Sequence, residues 1–236
     1  MYLPSSFAET DLTTLHNFIE QYSFGLLVSS VEGLPFASHL PLLLERASGP
    51  HGTLVGHMAR ANPQWREASG QTALAIFTGP HAYISPAWYE AEEVVPTWNY
   101  TTVHAYGRVQ IIGAAESLRE IVAKTVQVHE QSMPRPWQFD GSGTFVERQL
   151  KQIVGFRIPI NKIEGKWKLN QNHPVERRKK VFRALQQRSG ENAQAVAALM
   201  QAMLPAEETR RPDAAPLVEG ASSRNRNDHE DPLSAS

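Results

Sequence analysis

Three stretches of this 236-residue chain hold side chains suited to chemistry. Between Phe77 and Tyr106 stand seven of its twenty aromatic residues: Phe77, Tyr83, Trp88, Tyr89, Trp98, Tyr100 and Tyr106. His81, Thr97, Asn99, Thr102 and His104 are interleaved with them. A flat heteroaromatic ligand needs this mixture, ring faces to bury it and a few donors to fix its polar edge. An aromatic-rich barrel interior or dimer interface has the same composition. The second stretch runs Gly56-His57-Met58-Ala59-Arg60-Ala61-Asn62-Pro63-Gln64-Trp65. Here a strand ends, a guanidinium follows, and a short helix opens with Pro63 at its first position. Free N–H groups at a helix start beside Arg60 suit a phosphate, and an ordinary capped helix with a solvated arginine reads the same way. In the third stretch, Ile163 to Asn172, Lys166 and Lys168 flank Trp167, and Asn170, Gln171 and Asn172 follow. It offers cations and amides to an anionic ligand edge, or it is a polar turn leading into a capped helix.

Other chemistries find less support. There is no cysteine, hence no thiolate nucleophile, disulfide framework or cysteine metal site. Nine histidines are present, but His39, His57, His81 and His104 fall on different expected strands with no H-x-x-x-H spacing, so no metal site is assigned. The chain lacks a Gly-x-Ser-x-Gly elbow, a G-x-G-x-x-G turn and a phosphate-binding P-loop. No catalytic residue is nominated. Arg177, Arg178, Lys179, Lys180 and Arg183 make one strongly basic run. It reads as a solvated helix face or as a surface for DNA phosphates, without a helix-turn-helix pattern.

The positioning elements follow from periodicity. Asp11 caps a helix carrying Leu12, Leu15, Ile19 and Tyr22. Phe24–Val31 and Phe36–Glu45 form a hairpin around Glu32-Gly33-Leu34-Pro35. Further strands are expected at 53–59, 73–79, 82–89, 101–112 and 154–160, with Pro159 preferring an edge. A long helix covers 115–131 and a loop 133–143. Pro174 opens a helix to about Arg188, with Asn172 or His173 as cap, and Ala193–Leu204 forms the last. Short strands with helices at the start, middle and end make the class α+β, a barrel or sandwich. The formal net charge is −1, and the segment from Pro205 carries −3 of it, leaving the rest at +2. That argues against wrapping nucleic acid by bulk electrostatics. The expected domains are a barrel over 1–172, C-terminal helices packed on it over 173–204, and a disordered tail over 205–236. No apolar run is long enough to span a bilayer and none resembles a secretory leader, so a cytoplasmic protein is expected.

In order, HMARANPQW (His57–Trp65), IFTGPHAYISPAWY (Ile76–Tyr89), VPTWNYTTVHAYGR (Val95–Arg108) and KLNQN (Lys168–Asn172) resemble the PaiB-type family of FMN-binding negative transcriptional regulators. MYLPSSF at the start fits the same family, and the likeness extends over about residues 1–204. The chain departs from it in its acidic tail and at Asn170, where the family commonly has serine. The resemblance implies a split β-barrel of the FMN-binding, pyridoxamine-phosphate-oxidase-like type, with peripheral helices and a C-terminal helical extension. It implies FMN held between the chains of a homodimer. By position in such a barrel, His57, Arg60 and Asn62 would hold the phosphate and His39 would face the same pocket. Thr97, Trp98, Asn99 and Tyr100 would lie against the ring or the partner, and Lys168 and Gln171 would reach the polar edge or the phosphate. A cation at that edge would stabilise reduced flavin and raise its potential. Three functions stay open: a redox-sensing regulator or small-molecule reductase drawing electrons from NAD(P)H, a DNA-binding repressor independent of flavin, and a haem-handling barrel.

Overall fold

A computed structural model describes residues 1–205, and the rest of the tail expected to be disordered lies outside the described residues. Met1–Leu204 forms one compact unit. The chain opens with a short strand β1 (Ala8–Glu9) and helix α1 (Leu12–Gln21), whose Asp11 cap accepts from the Thr14 N–H at 2.7 Å. The hairpin β2 (Phe24–Val31) and β3 (Leu34–Pro41) follows, then β4 (Leu43–Glu45) and β5 (Thr53–Ala59). After α2 (Gln64–Ala68) come the long strands β6 (Thr72–Ile84) and β7 (Thr97–Arg108), and then β8 (Gln110–Ile112). Helices α3 (Ala115–Glu130) and α4 (Gly143–Leu150) precede β9 (Ile153–Lys168), and α5 (Val175–Gln186) and α6 (Glu191–Ala202) close the unit.

The strands are antiparallel in the order β3-β2-β6-β7-β9-β5-β4. The path curls so that β3 returns against β5, closing a barrel. Its interior is apolar: Ile19, Leu27, Leu42, Leu54, Phe77, Val103, Phe156 and Ile158 are wholly or almost wholly buried. The class is α+β, as composition and periodicity led one to expect.

β9 is the strand that splits the barrel. Its first half, to Pro159, pairs with β5, and its second half, from Ile160, pairs with β7. Pro159 therefore sits in an interior strand and not at an edge. It is tolerated because it stands at the crossover, beside a register shift between β7 and β9 that leaves Asn161 of β9 as the extra residue. The two backbones approach so closely here that a Cβ on Gly107 would lie 2.2 Å from the Pro159 carbonyl oxygen. The second half of β9 also corrects the expected turn: Ile163 to Lys168 is strand, because Ile163, Gly165 and Trp167 face the core while Glu164, Lys166 and Lys168 alternate to the opposite face, where Lys166 is buried at 7% exposure.

Other boundaries differ for local reasons. The expected strands 73–79 and 82–89 are one strand to Ile84, because a bulge between Thr78 and His81 carries the ladder past Pro80, and Pro86–Tyr89 is a 3-10 turn. The strand expected over 101–112 begins earlier, at Thr97, and breaks at Val109. Pro63 is the cap position of α2 and not its first residue, and Pro174, with no side-chain cap from Asn172 or His173, occupies the same position for α5. Helix α4 was not foreseen; its apolar residues are few and only Leu150 is buried.

Candidate functional site

The register aligns a second, non-core face of the β3-β2-β6-β7-β9 sheet. Along one row lie His39, Leu26, Ile76, His104 and Glu164. The row beside it holds Ala37, Val28, Leu74, Tyr106 and Lys162. Toward the other end of the strands come Thr78, Thr102 and Lys166, then His81, Tyr100 and Lys168, then Tyr83 and Trp98. Side chains on a strand alternate, so these residues point away from the barrel core. Leu26, Val28, Leu74 and Ile76 remain half-buried, and Phe24, on the same face, is 68% exposed. A sheet face with this much apolar surface in contact with water marks a place where something else binds.

Charge gathers on the β7–β9 side of that face. The Lys166 ammonium donates to the Tyr2 carbonyl at 3.0 Å and lies 5.4 Å from the Tyr100 ring centroid. Lys168 donates to the Thr97 hydroxyl. Burial pulls the Lys168 ammonium below its ordinary value, and Lys166 adds to that against an opposing pull from Tyr100. Burial would raise Glu164, yet hydrogen bonds from the Met1 ammonium and Lys162 hold its carboxyl at about 2. Beside it, burial and then the Met1 ammonium push His104 down against the pull of Glu164, and its Nδ1 is buried without a partner. A neutral imidazole with an unspent nitrogen is a ready hydrogen-bonding group for a ligand.

The residues nominated from sequence are not brought into one pocket. Tyr100 and Lys168 share this face, Trp98 stands at its end, and exposed His39 stands on its far strand, stacked against Phe24. Thr97 pairs with buried Ile84 and alternates to the opposite side, though its hydroxyl accepts from Lys168. Asn99 points the other way. It is fully buried, its Nδ2 donating to the Met200 sulfur at 3.4 Å and its Oδ1 unpartnered. Gln171 spends its amide on its own turn, accepting from the Leu169 N–H and donating to the Trp167 carbonyl. Asn62 is spent as well: Oδ1 accepts from the Gln64 N–H at 2.9 Å and Nδ2 donates to Ser38 at 2.8 Å.

His57 and Arg60 lie on a different side. His57 pairs with Gly155, where a Cβ would meet Leu118 and Ile121, so the imidazole sits on the side covered by α3. Burial lowers its pKa and leaves Nδ1 unpartnered. The Arg60 guanidinium donates from Nε to the Lys151 carbonyl at 2.8 Å and from Nη2 to the Ile153 carbonyl at 2.7 Å. It borders a cavity of about 250 Å³ shared with Arg119, Glu147 and Lys151.

His104, Tyr106 and Lys166 lie in the stretches singled out from the sequence but carry no assigned contact to the flavin there, and the apolar strip of β2 and β6 is not singled out at all. The signal was available in alternation: Tyr100, Thr102, His104 and Tyr106 occupy every second position of β7, opposite Lys168, Lys166, Glu164 and Lys162.

Comparison with known proteins gives the family and the fold. Residues 1–162 match the family described as "Putative FMN-binding domain". The protease synthase and sporulation protein PAI 2 of Bacillus subtilis is 37% identical over 203 residues, 85% of this chain and 97% of that protein. An uncharacterized protein of Emericella nidulans is 30% identical over 72% of this chain and 84% of its own length. Among solved structures, a flavocytochrome from Azotobacter vinelandii superposes with TM-score 0.51 at 13% identity, covering 68% of this chain and 69% of that one. The FAD and heme binding protein from Mycobacterium smegmatis gives 0.51 at 15% identity, covering 68% and 73%. These two likenesses establish a shared split-barrel fold. The chain belongs to the FMN-binding family of PaiB type.

Proposed function

We propose that this member of the FMN-binding family works as a homodimer that holds FMN against the outer face of the sheet and serves as a redox-responsive regulator. The observation that supports it is the face itself: a half-exposed apolar strip on β2 and β6, bordered by Lys166 and Lys168 and by the unpartnered Nδ1 of His104. Those residues fit the cofactor. Leu26, Val28, Leu74 and Ile76 offer an apolar floor, Tyr100 a ring, His104 a polar contact, and the two lysines charge opposite to a phosphate. Bound FMN supplies the electron chemistry, so the side chains have only to bind, orient and tune it.

The second copy is argued from span. His39 on β3 and Lys168 on β9 are four strands and four residues apart, roughly 23 Å at ordinary sheet spacings, so one small ligand does not reach both within one chain. A copy laid face to face would cover the exposed Phe24 and bring its own His39 flank to the other's lysines. The regulatory role draws support from the likeness to the sporulation protein. Of the basic run on α5, Arg178 donates to the Met203 carbonyl, and Lys179 and Lys180 pair with Glu176 and Glu90. Two of its five cations are thus paired with carboxylates, which leaves the helix less charge to grip DNA alone.

The test is a spectrum of the freshly purified full chain combined with its mass by light scattering. A yellow protein that releases FMN on denaturation and has twice the mass of the 26.3 kDa chain is expected. A colourless monomer that takes up no added FMN would refute the proposal. Continuous oxidation of NAD(P)H by the yellow protein would replace the regulator with a reductase.

A further inference from the structure

Beyond the end of β2 the strand β6 runs on without a neighbour on that side, and α6 packs along it. The connection from α5 to α6, Gln187 to Gly190, lies opposite the β6–β7 hairpin across an open cleft of about 630 Å³. One wall is aromatic. Trp98 stands between His81, with ring centroids 6.1 Å apart, and Tyr83, 6.0 Å away and edge-on, and Trp88 closes the side. Trp98 and Tyr83 are about half exposed, at 53% and 47%, which is costly for such rings unless something covers them. The opposite wall is polar and carries Arg188, whose side chain makes no hydrogen bond or ion pair within the described residues. Ser189 and Gln187 add donors, and no carboxylate lines the cavity.

We propose that this cavity is a second binding site, for a planar aromatic carboxylate. The volume is that of a small-molecule pocket. The ring wall selects a flat apolar body and the single guanidinium selects one carboxylate, which it can grip with two parallel hydrogen bonds. Two carboxylates or a polyphosphate would lack counter-charge. The cavity takes in Trp98, nominated above for the flavin, at the end of the outer face, but none of Leu26, Ile76, His104, Lys166 or Lys168 lines it, so the inference does not require the flavin to lie where it was placed above.

Calorimetric titration of the full chain with 2-naphthoate, and with the uncharged 2-naphthamide, tests it. The acid is expected to bind saturably with one site per chain. Arg188→Gln should weaken it about tenfold or more, the effect of losing a charged hydrogen-bond donor, and leave the amide unchanged. Tyr83→Ala should weaken both probes, and saturating FMN should displace neither. The proposal is overturned if the acid does not bind, if Arg188→Gln binds it as well as the unaltered chain does, or if FMN displaces it, since the cavity would then belong to the flavin site. Neither side chain is buried, so both variants are expected to fold, and their unfolding temperatures confirm it.

Discussion

Arg60 gives the sharpest contrast between what the sequence suggests and what the structure holds. Its position after a strand suggests a phosphate ligand, but its guanidinium ties the end of β5 to the α4–β9 junction through the Lys151 and Ile153 carbonyls. Arg60→Ala removes both bonds. A hydrogen bond to a charged group contributes about 1.5–3 kcal/mol, and one of these is exposed and the other part-buried, so the pair together is worth about 2 kcal/mol. For a unit of this size that lowers Tm by about 4–8 °C. Arg60→Lys keeps the charge but loses the fork, and should fall about half as far. Both are measured by thermal unfolding without added flavin, then by FMN titration at a temperature where each variant is folded. The expected affinity for FMN stays within about threefold of the unaltered chain. An unchanged Tm together with a loss of affinity of tenfold or more would refute the structural role and return Arg60 to the phosphate.

Four further outcomes are expected. Ile76→Asp places a charge in the middle of the outer face, and light scattering should show a monomer that has lost its flavin colour. Gly107→Ala would press a methyl group against the Pro159 carbonyl, and overpacking of about 1–3 kcal/mol should lower Tm by at least 3 °C. Burial holds the His57 and His104 pKa values below 6.5, so the unfolded chain binds protons that the folded one does not; stability should be full above that pH and fall as the pH drops through it, measured by denaturant unfolding from pH 8 to 5. Asn170 has φ +64° and donates to the Tyr89 hydroxyl at 2.9 Å; Asn170→Ala should destabilise more than Asn170→Gly, because alanine loses the bond and is strained besides.

Most of the fold was legible because its signals are local. The Asp11 cap, the Glu32-Gly33 turn, where both residues have positive φ, and the alternation in Val154–Ile160 each depend on a few neighbouring residues. The errors cluster where a distant partner decides. Gly79-Pro80 reads as a break, but β7 pairs on both sides of it and carries β6 across a bulge. Gly165 looks like a turn residue beside Glu164 and Lys166. It is instead where α1 comes down on the sheet, since a Cβ there would lie 2.2 Å from Leu15. Glycine serves close approach as readily as it serves a turn, and the sequence alone does not say which.

The site was legible in its residue types and not in its sides. Thr97-Trp98-Asn99-Tyr100 reads as one motif, yet a strand sends Asn99 into the core against Met200 while Trp98 and Tyr100 face out. Likewise Arg60 and Lys168 lie near opposite ends of β9, about 50 Å apart along its contour, though both read as cations for one anionic ligand. Pairing register resolves this: it sets Lys166 and Lys168 across from Thr102 and Tyr100, and sets Leu26 across Ile76 from His104. On the proposal above, the outer sheet face, with its apolar strip and its cations, is the binding surface and lies outside the barrel core. Such a surface gains shelter from water only when a second body covers it, so in this fold cofactor binding and association are expected to stand or fall together. The Ile76→Asp variant tests that coupling most directly, for retention of FMN by a monomer would separate the two.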